Sequence, residues 1–399
     1  MPVPTHLLAP LDLPNGARLR NRIVKSAMSD ALGDGRGNPT PAQARLYGLW
    51  AEGGVAASIV GEVQGDPAGA EAPGNLVLGD RSEPSAFAPL MAKGRAQGTH
   101  LWLQLGHAGA LTPPAIGTPK GPSALDLPGL RAAAMTAPEI GALPDRFAAT
   151  ARHARRLGAS GVQIHAAHGF LLSQFLSPLF NRRGDAHGGS IASRMRLLLE
   201  VVAAVRATIG PGLVLSVKLN ASDQLAGGLT PDEALQVVAA LDRMGLDLID
   251  ISGGTYFPGA AASSDRPATG PYFLDFAAAA RRLTTVPLMA TGGFRRLDET
   301  EAALRDGTLD AIGIARALVL DPALPARWRR GGPDPSFPRF AHSPPGGVTA
   351  WFTQRMAALA GGGAAPNLTP AEALPLQRQR AAELGRLWRA TFGTGRSST

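Results

Sequence analysis

The chain has no cysteine among its 399 residues. Disulfide scaffolds, thiolate metal sites, iron–sulfur clusters and cysteine nucleophiles are excluded together. Lysine is nearly as scarce. Lys25, Lys93, Lys120 and Lys218 are the whole set, which leaves 35 of the 39 basic residues as arginine. The net charge of +8 and a pI near 10.6 raise nucleic acid as a partner. The arginines, however, fall as scattered singles and pairs, not as a stripe that would track phosphates, so no nucleic-acid partner is expected. No run of roughly 18 apolar residues exists, so no transmembrane helix is expected. The N-terminal MPVPTHLLAPLDLP lacks the basic and long apolar regions of a signal peptide. The expectation is a cytoplasmic protein that acts on a small molecule, has no membrane partner and is compatible with a homo-oligomer.

Short β-branched apolar runs are present and alternate with longer segments of helical period. Strands are expected at 23–26, 55–60, 99–105, 161–165, 213–219, 248–252, 286–290 and 311–314, several of them apolar throughout, as in parallel sheets buried on both faces. Helices are expected at 138–157, 190–209, 231–244 and 297–305. Eight alternations without a Gly-x-Gly-x-x-Gly turn fit an α/β fold of the (β/α)8 TIM-barrel type, not a doubly wound sheet. Asn15-Gly16 reads as the turn of an N-terminal hairpin capping the barrel. Residues 1–335 are expected to form the barrel. Residues 336–399 form a C-terminal extension, rich in Gly and Pro with a flexible joint at 361–363, then helical from 370 to about 392. A long excursion is expected over 106–136.

Barrel chemistry sits at the C-terminal strand ends. Glycines after strand seven (Gly292, Gly293) and Arg316 after strand eight suit a phosphate site, where backbone N–H groups and a guanidinium converge on one anion. His165 and His168 end strand four. A zinc pair lacks a third ligand at a supporting spacing, whereas two imidazoles can polarise one substrate oxygen. Lys218 admits a Schiff-base role with Asp223 as the local acid, or a cation beside an electron-rich cofactor ring. Gln104 suits a pyrimidine-like edge.

The segments NRIVKSAMS (21–29), LQLGHAG (103–109), HAAHGFLLSQFLSP (165–178), NRRGDAHGGS (181–190) and TGGF (291–294) together resemble the Old Yellow Enzyme family of flavin-dependent ene-reductases, over roughly residues 5–330. The resemblance implies noncovalent FMN with NADPH or NADH as reductant. It implies that Ser26, Ala27, Met28 and Ser29 line the flavin, with Ser29 near O4 and N5. Gly61 and Glu62 would approach the flavin through backbone atoms, Gln104 would bind the pyrimidine edge, and Lys218 would face N1 and O2. Gly292, Gly293, Ala315 and Arg316 would hold the phosphate, Ala315 standing where glycine is more usual. His165 and His168 would bind a carbonyl or nitro oxygen. Phe170 stands where the family's proton-donating tyrosine is usual. Of only three tyrosines, Tyr256 opens toward the histidines and is the expected donor. His187, Ala192 and Ser193 are further departures, which concern loop packing. The implied activity is reduction of activated C=C bonds. Oxidative dehydrogenation of a cyclic substrate, a tRNA dihydrouridine synthase-like role and non-catalytic flavin binding are the alternatives.

Overall fold

The structure, a computed structural model, describes residues 5–257, 260, 270–364 and 366–393. Its centre is a ring of parallel strands: β1 (Ile23–Lys25), β2 (Ala57–Gln64), β3 (His100–Gly106), β4 (Gly161–Ala166), β5 (Val214–Asn220), β6 (Leu248–Ser252), β7 (Leu288–Thr291) and β8 (Ala311–Ile314). Each strand pairs with the next, and β8 returns to β1 with Ile312 opposite Ile23. The (β/α)8 barrel is therefore closed. Almost every strand residue is buried, because helices cover the outer face and side chains fill the inner one.

The interior is divided by depth. At the bottom, Val24, Ala57, Ile59, Trp102, Val214, Leu248, Met289 and Ala311 pack together. The hairpin that pairs Leu11–Asp12 with Arg18–Leu19 closes this end by adding Leu11, Leu13 and Leu19 to the same cluster. Higher up, register sets Gln104 beside Gln163, His165 beside Lys218 and Lys218 beside Asp250. The upper barrel is polar.

The outer helices are α1 (Pro41–Gly53), α2 (Pro84–Gly94), α3 (Leu143–Arg156), α4 (Arg196–Ile209), α5 (Pro231–Leu241), α6 (Leu274–Arg281), α7 (Leu297–Arg305) and the short α8 (Arg316–Leu320). The segment expected as one helix over 138–157 is interrupted at Ala142. Pro144 has no N–H to donate backward, so it begins a new first turn and cannot continue an old one. The segment expected over 190–209 is likewise broken, at Met195. The excursion after β3 contains a small sheet, in which Leu125–Leu127 pairs with Leu130–Ala134 across Pro128-Gly129. That dipeptide is a turn signal, with Gly129 at φ 79°.

The C-terminal residues form α9 (Gly347–Gly361) and α10 (Pro370–Phe392). Phe352, Met356 and Ala360 join the main core. The glycines expected as a flexible joint instead terminate α9, with Gly362 at φ 76° as its left-handed cap. Among the described residues no helix is long and apolar enough to cross a membrane.

One buried charge lies outside the barrel lumen. The Lys25 ammonium stands 4.2 Å from the Trp50 ring centroid and 5.1 Å from that of Tyr47, with no hydrogen-bond partner. Burial lowers its pKa to about 7, opposed by the nearby Asp30 carboxyl. Between there and the ordinary lysine range the unfolded chain binds a proton that the folded chain does not. The resulting destabilisation is complete below pH 7 and fades as pH rises toward 10.5. Lys25→Met should therefore raise the thermal midpoint at pH 6, by the equivalent of about 5 kcal/mol, and much less at pH 10. Denaturation of both proteins across this range checks it, and a gain independent of pH would refute the assignment.

Candidate active site

Asp250, on β6, is fully buried under the barrel mouth. Its Oδ2 accepts from Lys218 Nζ at 2.5 Å and from Gln163 Nε2 at 3.2 Å. Its Oδ1 accepts from the Thr291 hydroxyl at 2.7 Å, and Thr291 in turn meets Ser26 Oγ at 2.8 Å. Gln104 Nε2 donates to Gln163 Oε1 at 2.7 Å. One carboxylate thus links β3, β4, β5, β6, β7 and the residue that follows β1 through a continuous polar layer. A buried charge is tolerated only when paired and hydrogen-bonded, and here each of its oxygens is engaged.

Above this layer opens a cavity of about 290 Å³, the size of a small-molecule site. Gln104 and Lys218 reach it from below, and Ala27, Met28 and Ser29 line one side. Glu62 enters from β2 through a bulge. The β2–β3 register shifts between Val60 and Val63, and Glu62 takes a left-handed φ of 58°. Gly61 must be glycine, because a Cβ there would lie 2.3 Å from the Met28 carbonyl oxygen. The bulge turns the Glu62 side chain inward, as bulges beside functional sites commonly do. Its Oε1 then stands 2.9 Å from His165 Nδ1. His165 Nε2 is 3.1 Å from His168 Nδ1, and His168 Nε2 is 2.8 Å from Ser252 Oγ.

His168 is also left-handed, at φ 63°. Its N–H donates to Asn220 Oδ1 and its carbonyl accepts from Tyr256 N–H, which pins the loop after β4 to those after β5 and β6. Burial, with the Lys218 charge nearby, lowers His165 to about 3, and burial holds His168 well below the ordinary range. Both imidazoles are neutral at physiological pH. Burial pushes Glu62 up to about 8, and Glu71, another cavity residue, is pushed to about 8 by burial and by the Glu62 charge. Phe170 packs its ring 4.8 Å from His165. Tyr256, 64% exposed, stands at the rim with its ring 5.9 Å from His168.

The other end of the cavity is lined by Gly292, Gly293, Ala315 and Arg316. Gly292 and Gly293 have φ of 139° and 84°, and a Cβ on Gly293 would lie 2.1 Å from the Gly270 carbonyl oxygen. Such a turn presents backbone N–H groups that no side chain shields. Arg316 lies over the Phe352 ring at 5.7 Å, and α9 adds Val348, Thr349, Thr353 and Met356 to the wall. The two ends of the cavity suit an elongated ligand with an anionic tail. A cation and an amide meet its head, and a glycine cradle with a guanidinium meets its tail.

Thirteen of the fourteen expected site residues line this one cavity: Ala27, Met28, Ser29, Glu62, Gln104, His165, His168, Lys218, Tyr256, Gly292, Gly293, Ala315 and Arg316. Ser26 does not line it. It is buried beneath, its hydroxyl committed to Thr291. Glu62, expected to contribute backbone atoms, also turns its carboxyl toward the site. Asp223 is not the partner of Lys218. Its oxygens accept from Asn220 Nδ2 and Leu229 N–H, and Asp250 takes the lysine. Glu71, Asp250, Thr291, Arg295 and the α9 residues escaped the sequence reading. For Glu71 and α9 no local motif pointed to the cavity. Asp250 carried a readable signal, an acid inside an otherwise apolar strand.

A sequence profile of the NADH:flavin oxidoreductase / NADH oxidase family matches residues 6–334. The chain is 34% identical over 361 residues to the NADH-dependent flavin oxidoreductase iccE of Talaromyces variabilis, covering 80% of this chain and 85% of that protein. It is 35% identical over 357 residues to the NADH-dependent flavin oxidoreductase iliE of Neonectria sp. (strain DH2), where it again aligns over 80% of its own length but spans only 46% of the relative. Among solved structures, morphinone reductase superposes with a TM-score of 0.73 at 25% identity, covering 84% of this chain and 91% of that one. The old yellow enzyme homologue from Zymomonas mobilis gives 0.72 at 25% identity, covering 83% and 94%. With the closed barrel and its cavity, these likenesses show that the chain belongs to the NADH:flavin oxidoreductase / NADH oxidase family, that of Old Yellow Enzyme, whose cofactor is FMN and whose reductant is a nicotinamide nucleotide.

Proposed function

We propose that this chain reduces activated C=C bonds of α,β-unsaturated carbonyl or nitro compounds at the expense of NADH or NADPH. The observation that carries the reading is the pair of neutral imidazoles, His165 buried and His168 half-buried, in one cavity with Lys218 and Gln104. Neutral imidazoles donate to a substrate oxygen without a fixed positive charge, so their hydrogen bonds strengthen as negative charge develops there. FMN, when bound, supplies the hydride. Gln104 would bind its pyrimidine edge and Lys218 would offset negative charge on the reduced ring. Ala27, Met28, Ser29 and the backbone at Glu62 would bound the ring, with Ser26 supporting them from below. Gly292, Gly293, Ala315 and Arg316 would hold the phosphate.

Phe170 has no proton to give. Tyr256 at the rim would deliver one to the α-carbon, directly or through one water, and its exposure admits that water. The same phenylalanine favours a second reading, oxidation of a cyclic substrate, in which no donor is needed. Anaerobic reduction by NADH or NADPH, followed by 2-cyclohexenone, separates the two. We expect the flavin to bleach and then regain its colour with saturated ketone formed in equal amount. Failure of the enone to reoxidise it would favour the oxidative reading.

The histidine assignment has its own test. His165→Ala and His168→Ala should each retain FMN but weaken binding of p-hydroxybenzaldehyde by roughly tenfold or more, the loss of one hydrogen bond to a charged oxygen. Its long-wavelength absorbance on the oxidised protein is the readout. Unchanged affinity in both variants would remove the pair from oxygen binding.

A further inference from the structure

We propose that Glu62 is a proton carrier for the substrate oxygen, acting through His165. The inference rests on the ene-reductase reading above and deepens it. Glu62 Oε1 lies 2.9 Å from His165 Nδ1, within proton-transfer distance but off the line of a hydrogen bond, and no other group bonds that nitrogen. His165 Nε2 faces into the cavity beside His168 Nδ1. The carboxyl and the oxygen-binding nitrogen are therefore opposite ends of one imidazole. A strained left-handed backbone and a bulge aim the acid there, a cost that persists when the position is over-determined by its surroundings.

The groups facing Glu62 agree. Gln64, on its own strand, donates to Oε2 at 3.3 Å. His165 stands opposite, with the Lys218–Asp250 pair behind it. Glu71 and Tyr256 are the other ionisable neighbours. Among the described residues no lysine or arginine forms an ion pair with the carboxyl, and burial keeps it protonated to about pH 8. A small turn of the neutral acid would align its O–H on Nδ1, leaving Nε2–H, which meets His168 Nδ1 in the structure, as donor to an entering oxygen.

The step balances. Hydride reaches the β-carbon from the reduced cofactor, and the electron pair of the C=C bond shifts to place charge on oxygen. The Nε2–H bond of His165 breaks as an enol O–H forms, and the Glu62 O–H breaks as Nδ1–H forms. When the α-carbon takes its proton from the Tyr256 side, the enol proton returns along the same path and Glu62 is protonated again. The net proton comes from solvent. The carrier holds the substrate as a neutral enol until the α-carbon takes its proton from the Tyr256 side, Phe170 having none to give.

Glu62→Gln keeps the shape and removes the proton. Two measurements on the FMN-loaded protein decide the matter. The infrared carbonyl stretch of a protonated carboxyl should titrate away near pH 8 in the wild type, and the Glu62→Gln protein should lack that part of it. In stopped flow, the reaction of reduced wild-type enzyme with 2-cyclohexenone should slow as pH rises through about 8. The variant should be slower by roughly 10²-fold, within the range for a lost general acid, and flat across that range. An enone-active wild type matched by its variant in rate and pH profile overturns this proposal alone, as does a carboxyl band that titrates near pH 4. A wild type unable to reduce the enone overturns the ene-reductase reading and this one with it.

Discussion

Asp250 is paired with Lys218 in the middle of a barrel, and the upper half of the fold is arranged around that ion pair. An uncompensated carboxylate at this depth would cost several kcal/mol or would take up a proton. Lys218, Gln163 and Thr291 satisfy it from three neighbouring strands. Each of these is itself held, Gln163 by Gln104 and Thr291 by Ser26. The result is a rigid polar layer across β3 to β7 and the residue that follows β1, above an apolar plug supplied partly by the N-terminal hairpin. Lys218 and Gln104 reach the cavity in fixed positions because their other contacts are already determined. Removing one partner of such a pair would leave a buried charge and disturb every member of the layer.

The second organising feature is local strain. Glu62 and His168 both adopt left-handed backbone conformations without being glycine, at a cost on the order of 1–3 kcal/mol each. The surrounding structure enforces them. A glycine at 61 lets the chain pass the Met28 backbone, and His168 is tied by hydrogen bonds to Asn220 and to the Tyr256 N–H. Together they bring a carboxyl, two imidazoles and a serine hydroxyl into one row across the strand ends.

The eight strands could be read because buried parallel strands are apolar along most of their length, and the hairpin because Asn-Gly specifies a turn. Site residues at strand ends were legible through their type and the ordered motifs around them. Long-range features were not. The partner of Lys218 lies 32 residues away on another strand, and nearness along the chain pointed to Asp223 instead. The inward turn of Glu62 depends on a bulge that has no signature beyond one glycine. The contribution of α9 depends on packing between distant segments. The Pro128-Gly129 hairpin and the break before Pro144 were readable and show that local turn chemistry outweighs an average over glycine and proline content.

A polar layer that holds Lys218 against the electron-accepting ring of FMN is the proposal on which the redox chemistry of the site rests. It is tested most directly by the reduction potential of the bound flavin, measured anaerobically in the wild type and in Lys218→Met. Loss of a fixed positive charge beside the reduced ring should make the potential more negative by roughly 60 mV, equivalent to about a hundredfold for a two-electron couple. Equal potentials in two proteins that both bind FMN would contradict the claim.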